Sequence, residues 1–234
     1  MPVIHDIDVG FEADEVEKLP GLRCRGLMHK RVLSMVTEIM DDIEKHNLLQ
    51  PALAYGIVSV KSLSNGVIEL EQGTRLHAPL LVHRLARASG LAFGVATIGN
   101  AFAETIEQLF KAGQQFKAVL MEEIANACLY KVSMQFQQRV DDEAGLINLQ
   151  TSGTLAPGDE GFDLSGQEQV LALADAAAIH VSLSASFMMK PRHSVSNVIG
   201  IGRRMQKWTQ IENCSVCKSR ERCPHRQGIE VLTR

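Results

Sequence analysis

The run HVSLSASFMMKPRHSVSNVIGIG, residues 180–202, decides the fold class. Small residues alternate with β-branched ones along it, a pattern that suits a pleated, half-buried surface and predicts strands or strand-like segments. Its close, Gly200-Ile201-Gly202, is similar to the start of a dinucleotide-binding fingerprint. It completes no G-x-G-x-x-G and no βαβ unit surrounds it, so that reading is set aside.

Upstream, helices and hairpins mix without a regular βα alternation, which places the chain in the α+β class. Residues 28–48 put Leu33, Val36, Ile39, Met40 and Ile43 at spacings of three and four, the mark of an amphipathic helix. GIVSVKSL and GVIELEQG flank Ser64-Asn65-Gly66, and Asn-Gly supplies the positive φ angles of a tight hairpin. A helix over 79–89 and a strand, LAFGVATIG, come next. Asn100 is placed to cap the helix AFAETIEQLFKAG, which Gly113 closes. In the longest helix Phe116, Leu120, Ile124, Cys128, Val132 and Phe136 recur every four residues along one stripe, so Cys128 reads as a core residue. Residues 146–166, LINLQTSGTLAPGDEGFDLSG, read as loops, and a short helix, GQEQVLALADAAA, leads into the strand region. No internal repeat or low-complexity segment interrupts the chain.

With 234 residues, 45% of them apolar and 22% charged, the chain can bury a large core. The acidic start, MPVIHDIDVGFEADEVEKL, has no basic segment before an apolar run, and eighteen apolar residues never follow one another. Neither a secretory signal nor a membrane span is expected. Together with five cysteines, an odd number, this predicts a reducing, cytoplasmic setting. The net charge of −3 conceals an asymmetry: residues 190–234 carry +7 and residues 1–189 carry −10. A basic tail on an acidic body predicts an acidic partner or packing of the tail on its own body. Nucleic acid is not expected, because Trp208 is the only stacking platform in the basic stretch and no nucleic-acid module is matched. The eight histidines fall in no H-x-x-x-H or H-E-x-x-H frame, and Ser194 beside His193 has no visible third partner. No catalytic residue is assigned.

The tail contains NCSVCKSRERCPHR, residues 213–226, in which Cys214, Cys217 and Cys223 form C-x2-C-x5-C ahead of Pro224 and His225. The C-x2-C pair lets two thiolates reach one centre from a single turn, and the five-residue loop returns a third. Zinc fits, with His225 as a fourth ligand. An iron–sulfur cluster also fits, with Cys24 as the fourth cysteine. Neighbouring Arg and Lys residues favour the thiolate forms that either centre needs.

Three segments, 96–127, 155–173 and 184–202, together resemble the activation domain of cobalamin-dependent methionine synthase. In that family a strand ends in a Thr-x-Gly step before two helices, and a Pro-Gly loop precedes a short helix. A Ser-Phe-x-Met-x-Pro-x-x-Ser-Val-Ser stretch follows. Here Ser186, Phe187, Met189, Pro191, Ser194, Val195 and Ser196 meet that last pattern at every defined position. The resemblance spans roughly 28–202 and leaves the cysteines of the tail outside. It implies a curved antiparallel sheet flanked by helices, a groove for S-adenosylmethionine, and docking over a cobalamin domain whose inactive cob(II)alamin can then be reduced and remethylated. A free-standing version would find its corrinoid protein in trans. The implied organisation is an N-terminal segment (1–27), an activation-domain-like domain (28–210) and a Cys-rich metal or iron–sulfur tail (211–234).

The family's ligand loop reads Arg-x-x-Pro-Gly-Tyr, and the corresponding run here is Thr154-Leu155-Ala156-Pro157-Gly158-Asp159. The resemblance therefore carries over Ala156, Pro157 and Gly158, while Thr154 lacks the charge-assisted bond that an arginine gives a carboxylate. The resulting expectation is an accessory for reductive activation of a corrinoid-dependent methyltransferase, with the tail relaying a low-potential electron. The alternative is a non-catalytic scaffold with a structural zinc and a lost S-adenosylmethionine site. An independent S-adenosylmethionine-dependent methyltransferase is disfavoured, since the glycine loop and acidic ribose partner are missing.

Overall fold

A computed structural model of the chain describes residues 2–9, 27–209, 212, 215 and 220–222. In chain order the elements are β1 (Val3–Ile4), α1 (Leu27–Lys45), β2 (Ala52–Ser64), β3 (Val67–Leu70), β4 (Arg75–His77), α2 (Pro79–Arg84) and β5 (Gly90–Thr97). They continue with α3 (Ala101–Lys111), α4 (Gln115–Leu146), β6 (Gln150–Leu155), α5 (Gln167–Ala174), β7 (Ser182–Leu183), β8 (Met189–Lys190) and β9 (Ser194–Gly202). This is the expected α+β class, an antiparallel sheet flanked by helices.

The main sheet runs β4-β3-β2-β5-β9-β6, with β1 added to β2. Every pairing in it is antiparallel. The 13-residue β2 joins its two halves: residues 52–59 pair with β5 and residues 60–64 with β3, with a register shift between Val60 and Ser62. Such irregularities bend a strand and raise its twist. Asn65 and Gly66 turn the β2–β3 hairpin at φ 51° and 75°, as the Asn-Gly pair predicts. Gly66 has a second constraint, because a Cβ there would lie 3.0 Å from the Pro79 side chain. Gly66→Ala is expected to destabilise the chain by about 1 kcal/mol or more in urea unfolding, since strain and contact add.

Period-two alternation gives the sheet two buried faces. Leu53, Tyr55, Ala92, Ala96, Ile199 and Ile201 face α1, α3 and α4. Ala54, Leu91, Phe93, Val95 and Val198 face α2 and α5 in a second cluster. Helix α4 lies on the first face with Leu120, Ile124, Cys128, Val132 and Phe136 at 0–2% exposure, as the stripe predicts. Burial holds the Cys128 thiol up at a pKa of about 12. Phe116, the first residue of that stripe, is instead 49% exposed. It sits in the opening turn of α4, before the helix reaches the sheet.

Three local expectations need correction. The 146–166 region is not all loop: QTSGTL forms β6, although it shows no hydrophobic alternation. Its small polar residues are buried by pairing, with Ser152 fully buried and its Oγ accepting the Gly200 N–H at 2.8 Å. Asn100 makes no side-chain cap and adopts a helical conformation, its amide donating to Glu104 Oε1 at 2.5 Å. Helix α2 stops at Arg84, short of residue 89. Among the described residues no helix is long and apolar enough to cross a membrane.

Candidate functional site

Strand β6 is one edge of the main sheet, and its end feeds the loop that carries Ala156, Pro157 and Gly158. The loop is a compact knot. Gly158, at φ 97°, donates its N–H to the Phe162 carbonyl at 2.8 Å, and Phe162 donates back to the Asp159 carbonyl at 3.0 Å. Phe162 is buried in the second cluster and pins the knot to the body. Asp159 Oδ2 accepts the Ala156 N–H at 2.8 Å. Desolvation raises the Asp159 pKa, against the lowering effects of the Ala156 N–H and the nearby charge of Arg84. Thus the position that the family fills with tyrosine here bonds the loop to itself, while a cation from α2 stands close by.

The 186–196 run splits into two jobs. Ser184 to Met188 form the tip of the β7–β8 hairpin, with Phe187 held at φ 60° and Met188 exposed. Ser184 Oγ accepts the Met188 N–H at 3.1 Å. Ser196 Oγ donates to Gln167 Oε1 at 2.6 Å, and Gln167 Nε2 reaches the Phe187 carbonyl at 3.5 Å. Gln167, buried at the start of α5, therefore ties β9 to the hairpin tip. The serines of this run satisfy neighbouring groups, a structural role.

Ser194 opens β9, and His193 stands in the bend just before it. Ser194 Oγ donates to the Pro191 carbonyl at 2.8 Å and lies 3.0 Å from Thr97 Oγ1. His193 is buried with its ring edge-on to Phe102, and its Nε2 lies 3.2 Å from Glu122 Oε1. Arg192 donates to Glu122 Oε2 at 2.5 Å. The hydrogen bond from His193, then the charges of His193 and Arg192, hold the Glu122 carboxyl below its ordinary pKa of 4.5, against desolvation. A depressed carboxyl stabilises the fold above its unfolded pKa and loses that contribution as pH falls through the folded value. The stability gap between the native chain and Glu122→Gln is therefore expected to be full at pH 7 and to close as pH drops below 4.5, read by denaturant midpoints across pH.

After β9 the chain doubles back across the second face of the sheet. Met205 is buried, its side chain against Gly200 and Gly202, where a Cβ would come within 2.8 and 3.2 Å of it. Lys207 pairs with Asp141, which also accepts from Thr151. Trp208 lies on Gly153: a Cβ there would fall 2.4 Å from the indole and 2.2 Å from the Trp208 carbonyl oxygen. Its Nε1 donates to the Thr154 carbonyl at 3.3 Å, and Arg84 stands over its ring at 5.0 Å. An open cleft of about 350 Å³ beside this strap is lined by Asp141, Leu149, Gln150, Thr151, Met205 and Lys207. The start of the basic tail thus packs on its own body, one of the two outcomes that the charge asymmetry predicts. Sequence reasoning missed Arg84 and Gln167, which carry no motif. Trp208 left one signal, being the only tryptophan in the chain.

Cys24, Cys214, Cys217, Cys223 and His225 lie outside the described residues. Among the described residues no group of three or more His, Cys, Asp or Glu side chains could hold a metal ion.

No protein-family model matches the sequence, and no curated protein matches it either. The fold does have a solved counterpart. The chain is similar to a crystal structure of the MetH reactivation domain bound to AdoHcy, with a TM-score of 0.62 and 12% sequence identity over 85% of this chain and 77% of that one. At that identity the likeness is one of fold, and it agrees with the expected reactivation-domain-like architecture.

Proposed function

We propose, from that shared architecture, that this chain is an accessory for reductive activation of a cobalamin- or corrinoid-dependent methyltransferase. The observation that carries the reading is the fold likeness to a reactivation domain over 85% of the chain. The unbroken Ser-Phe-x-Met-x-Pro-x-x-Ser-Val-Ser match supports it independently. The docking face is the hairpin tip tied to β9 by Gln167 together with the Pro-Gly loop: Met188 at the tip is 60% exposed, and Leu164, 3.6 Å from where a Cβ on Gly158 would lie, is 37% exposed. Exposed apolar side chains on a hydrogen-bonded frame suit contact with a corrin ring and its protein. The corrinoid belongs to the partner. The tail cysteines Cys214, Cys217 and Cys223, with Cys24 as the fourth ligand, would hold an iron–sulfur cluster, which would supply the low-potential electron.

The fit of S-adenosylmethionine to the loop is conditional. Both backbone groups that flank the Pro-Gly step on the strand side are occupied, Ala156 N–H by Asp159 and the Thr154 carbonyl by Trp208. Arg84 supplies a cation near Asp159 from another element, in place of the arginine that Thr154 replaces. Ala156, Pro157 and Gly158 would hold the ligand once these contacts open, and the bound molecule would supply the methyl group.

The test is a reactivation assay: a cob(II)alamin-loaded corrinoid domain of methionine synthase, a low-potential reductant and S-adenosylmethionine, with and without this chain. The reading expects the corrinoid to return to its methylated state, followed by absorption, only when the chain is present. Equal rates in both arms overturn it. The substitution of arginine by Thr154 favours a second reading, a scaffold whose tail holds structural zinc and whose loop binds no ligand.

A further inference from the structure

We infer that the turn after β9 and the turn before β5 together form a docking surface for an acidic protein, separate from the hairpin tip and the Pro-Gly loop. Residues 79–90 and 194–209 hold Arg84, Arg87, Arg203, Arg204 and Lys207 and not one Asp or Glu. Residues 1–189 as a whole carry −10, so these two segments reverse the sign of charge locally on an acidic body. Two of the five cations are engaged, Lys207 by Asp141 and Arg84 by the ring of Trp208. Arg87, Arg203 and Arg204 are exposed, and among the described residues their side chains make no hydrogen bond or ion pair. Elsewhere cations are neutralised in place: Lys61 and Arg75 meet Glu69, Lys117 meets Glu38 and Asp42, and Arg192 meets Glu122. Like charges grouped without counter-charges repel one another, so the folding of this chain gains nothing from the grouping.

The three arginines stand on a fixed base. A Cβ on Gly202 would fall 2.2 Å from the Arg87 carbonyl oxygen, so the two turns lie directly against each other. Ser89 locks them, its N–H and Oγ both donating to the Ile201 carbonyl at 2.8 and 3.3 Å. Leu85 and Met205, the buried residues of the same two turns, both pack against Gly200. Turns held this way need little ordering when a partner arrives, which lowers the cost of binding. The chemistry of the partner follows from the side chains. A guanidinium pairs with a carboxylate through two parallel hydrogen bonds, and arginine is enriched where proteins meet. Trp208 is the one Phe, Tyr or Trp in these segments, and it is already held between Arg84 and Gly153, so it offers nucleic-acid bases no free platform. Strand β9 is nine residues long, which puts Gly202 roughly 26 Å from Ser194 and the hairpin side of the sheet. Both surfaces can therefore be occupied at once. Of the two outcomes that a basic end on an acidic body predicts, Lys207 and Trp208 realise self-packing, and these arginines supply the other.

The test is fluorescence anisotropy of a labelled polyglutamate peptide titrated with the full chain. The chain's net charge is −3, so indiscriminate attraction predicts no binding. Saturable binding that weakens as salt rises is the expected result. Arg203→Glu combined with Arg204→Glu is expected to weaken it at least about tenfold. Lys30→Glu combined with Lys45→Glu makes the same change of net charge on exposed positions of α1, and is expected to leave the affinity within about twofold. Thermal unfolding of each variant verifies that it folds. The inference is overturned if the peptide does not bind, or if both pairs of substitutions weaken binding equally. It is likewise overturned if duplex DNA or phosphatidylserine vesicles bind more tightly than the peptide. The surface stands independently of the proposed function: the arginine variant is expected to bind the cob(II)alamin-loaded corrinoid domain as the native chain does. A matching loss there overturns the separation of the two surfaces.

Discussion

Replacing Phe136 by alanine is expected to remove about 3–5 kcal/mol of stability, the range for deleting a fully buried aromatic ring. The ring is 1% exposed and sits where β5 has no side chain: a Cβ on Gly94 would lie 2.6 Å from it. Tyr55 packs against it at a centroid distance of 5.8 Å and 53°. The phenol of Tyr55 in turn donates to Glu143 and has its pKa raised to about 12, burial being the largest cause. Helix, sheet and hydrogen bond thus meet at one ring, and neighbours so fixed collapse poorly into a void. Urea unfolding checks the point: the midpoint should fall with the slope unchanged. The reciprocal change, Gly94→Ala, should also destabilise, because the added methyl meets the ring and not open space. A loss under about 1 kcal/mol for Phe136→Ala would contradict the packing described for α4 on the sheet.

Cys217→Ser is expected to abolish the iron and the visible absorption of anaerobically purified protein while leaving the unfolding midpoint of the body unchanged. Cys217 is shared by both halves of C-x2-C-x5-C, so its loss leaves only Cys214 and Cys223 of the three tail thiolates. Cys128→Ser is the control. That thiol is 2% exposed in the middle of α4, and its raised pKa keeps it from acting as a thiolate. Its replacement should leave the metal content intact. One zinc per chain in place of iron, in colourless protein, assigns the tail to the structural reading and removes the electron relay. Metal content unchanged in Cys217→Ser removes the tail site altogether.

Where one physical signal dominated, the fold was legible in the sequence. The Asn65-Gly66 turn, the α4 stripe and the alternation of residues 194–202 each rest on a backbone angle or a period that few alternatives share. Strand β6 was not legible, because QTSGTL is held by pairing to β9 and by Ser152 and Thr151 side chains, not by hydrophobic alternation. The α4 stripe failed only at Phe116, where periodicity continues past the surface that the helix covers. For the candidate site, the order of residues located the Pro-Gly loop and the 186–196 run but not their partners. Arg84 and Glu122 reach the site from 70 or more residues away in sequence, Gln167 from 20, and Trp208 arrives from beyond β9. Contacts of that kind depend on topology, which single-sequence spacing does not encode.

The central claim is that this body docks on a corrinoid protein, and calorimetry of the full chain against the corrinoid domain of methionine synthase tests it most directly. Saturable one-to-one binding to the cob(II)alamin-loaded domain, weakened at least about tenfold when Met188 and Leu164 are both changed to aspartate, is the predicted result. No heat of binding to the loaded domain, or equal binding by the doubly substituted chain, would contradict it.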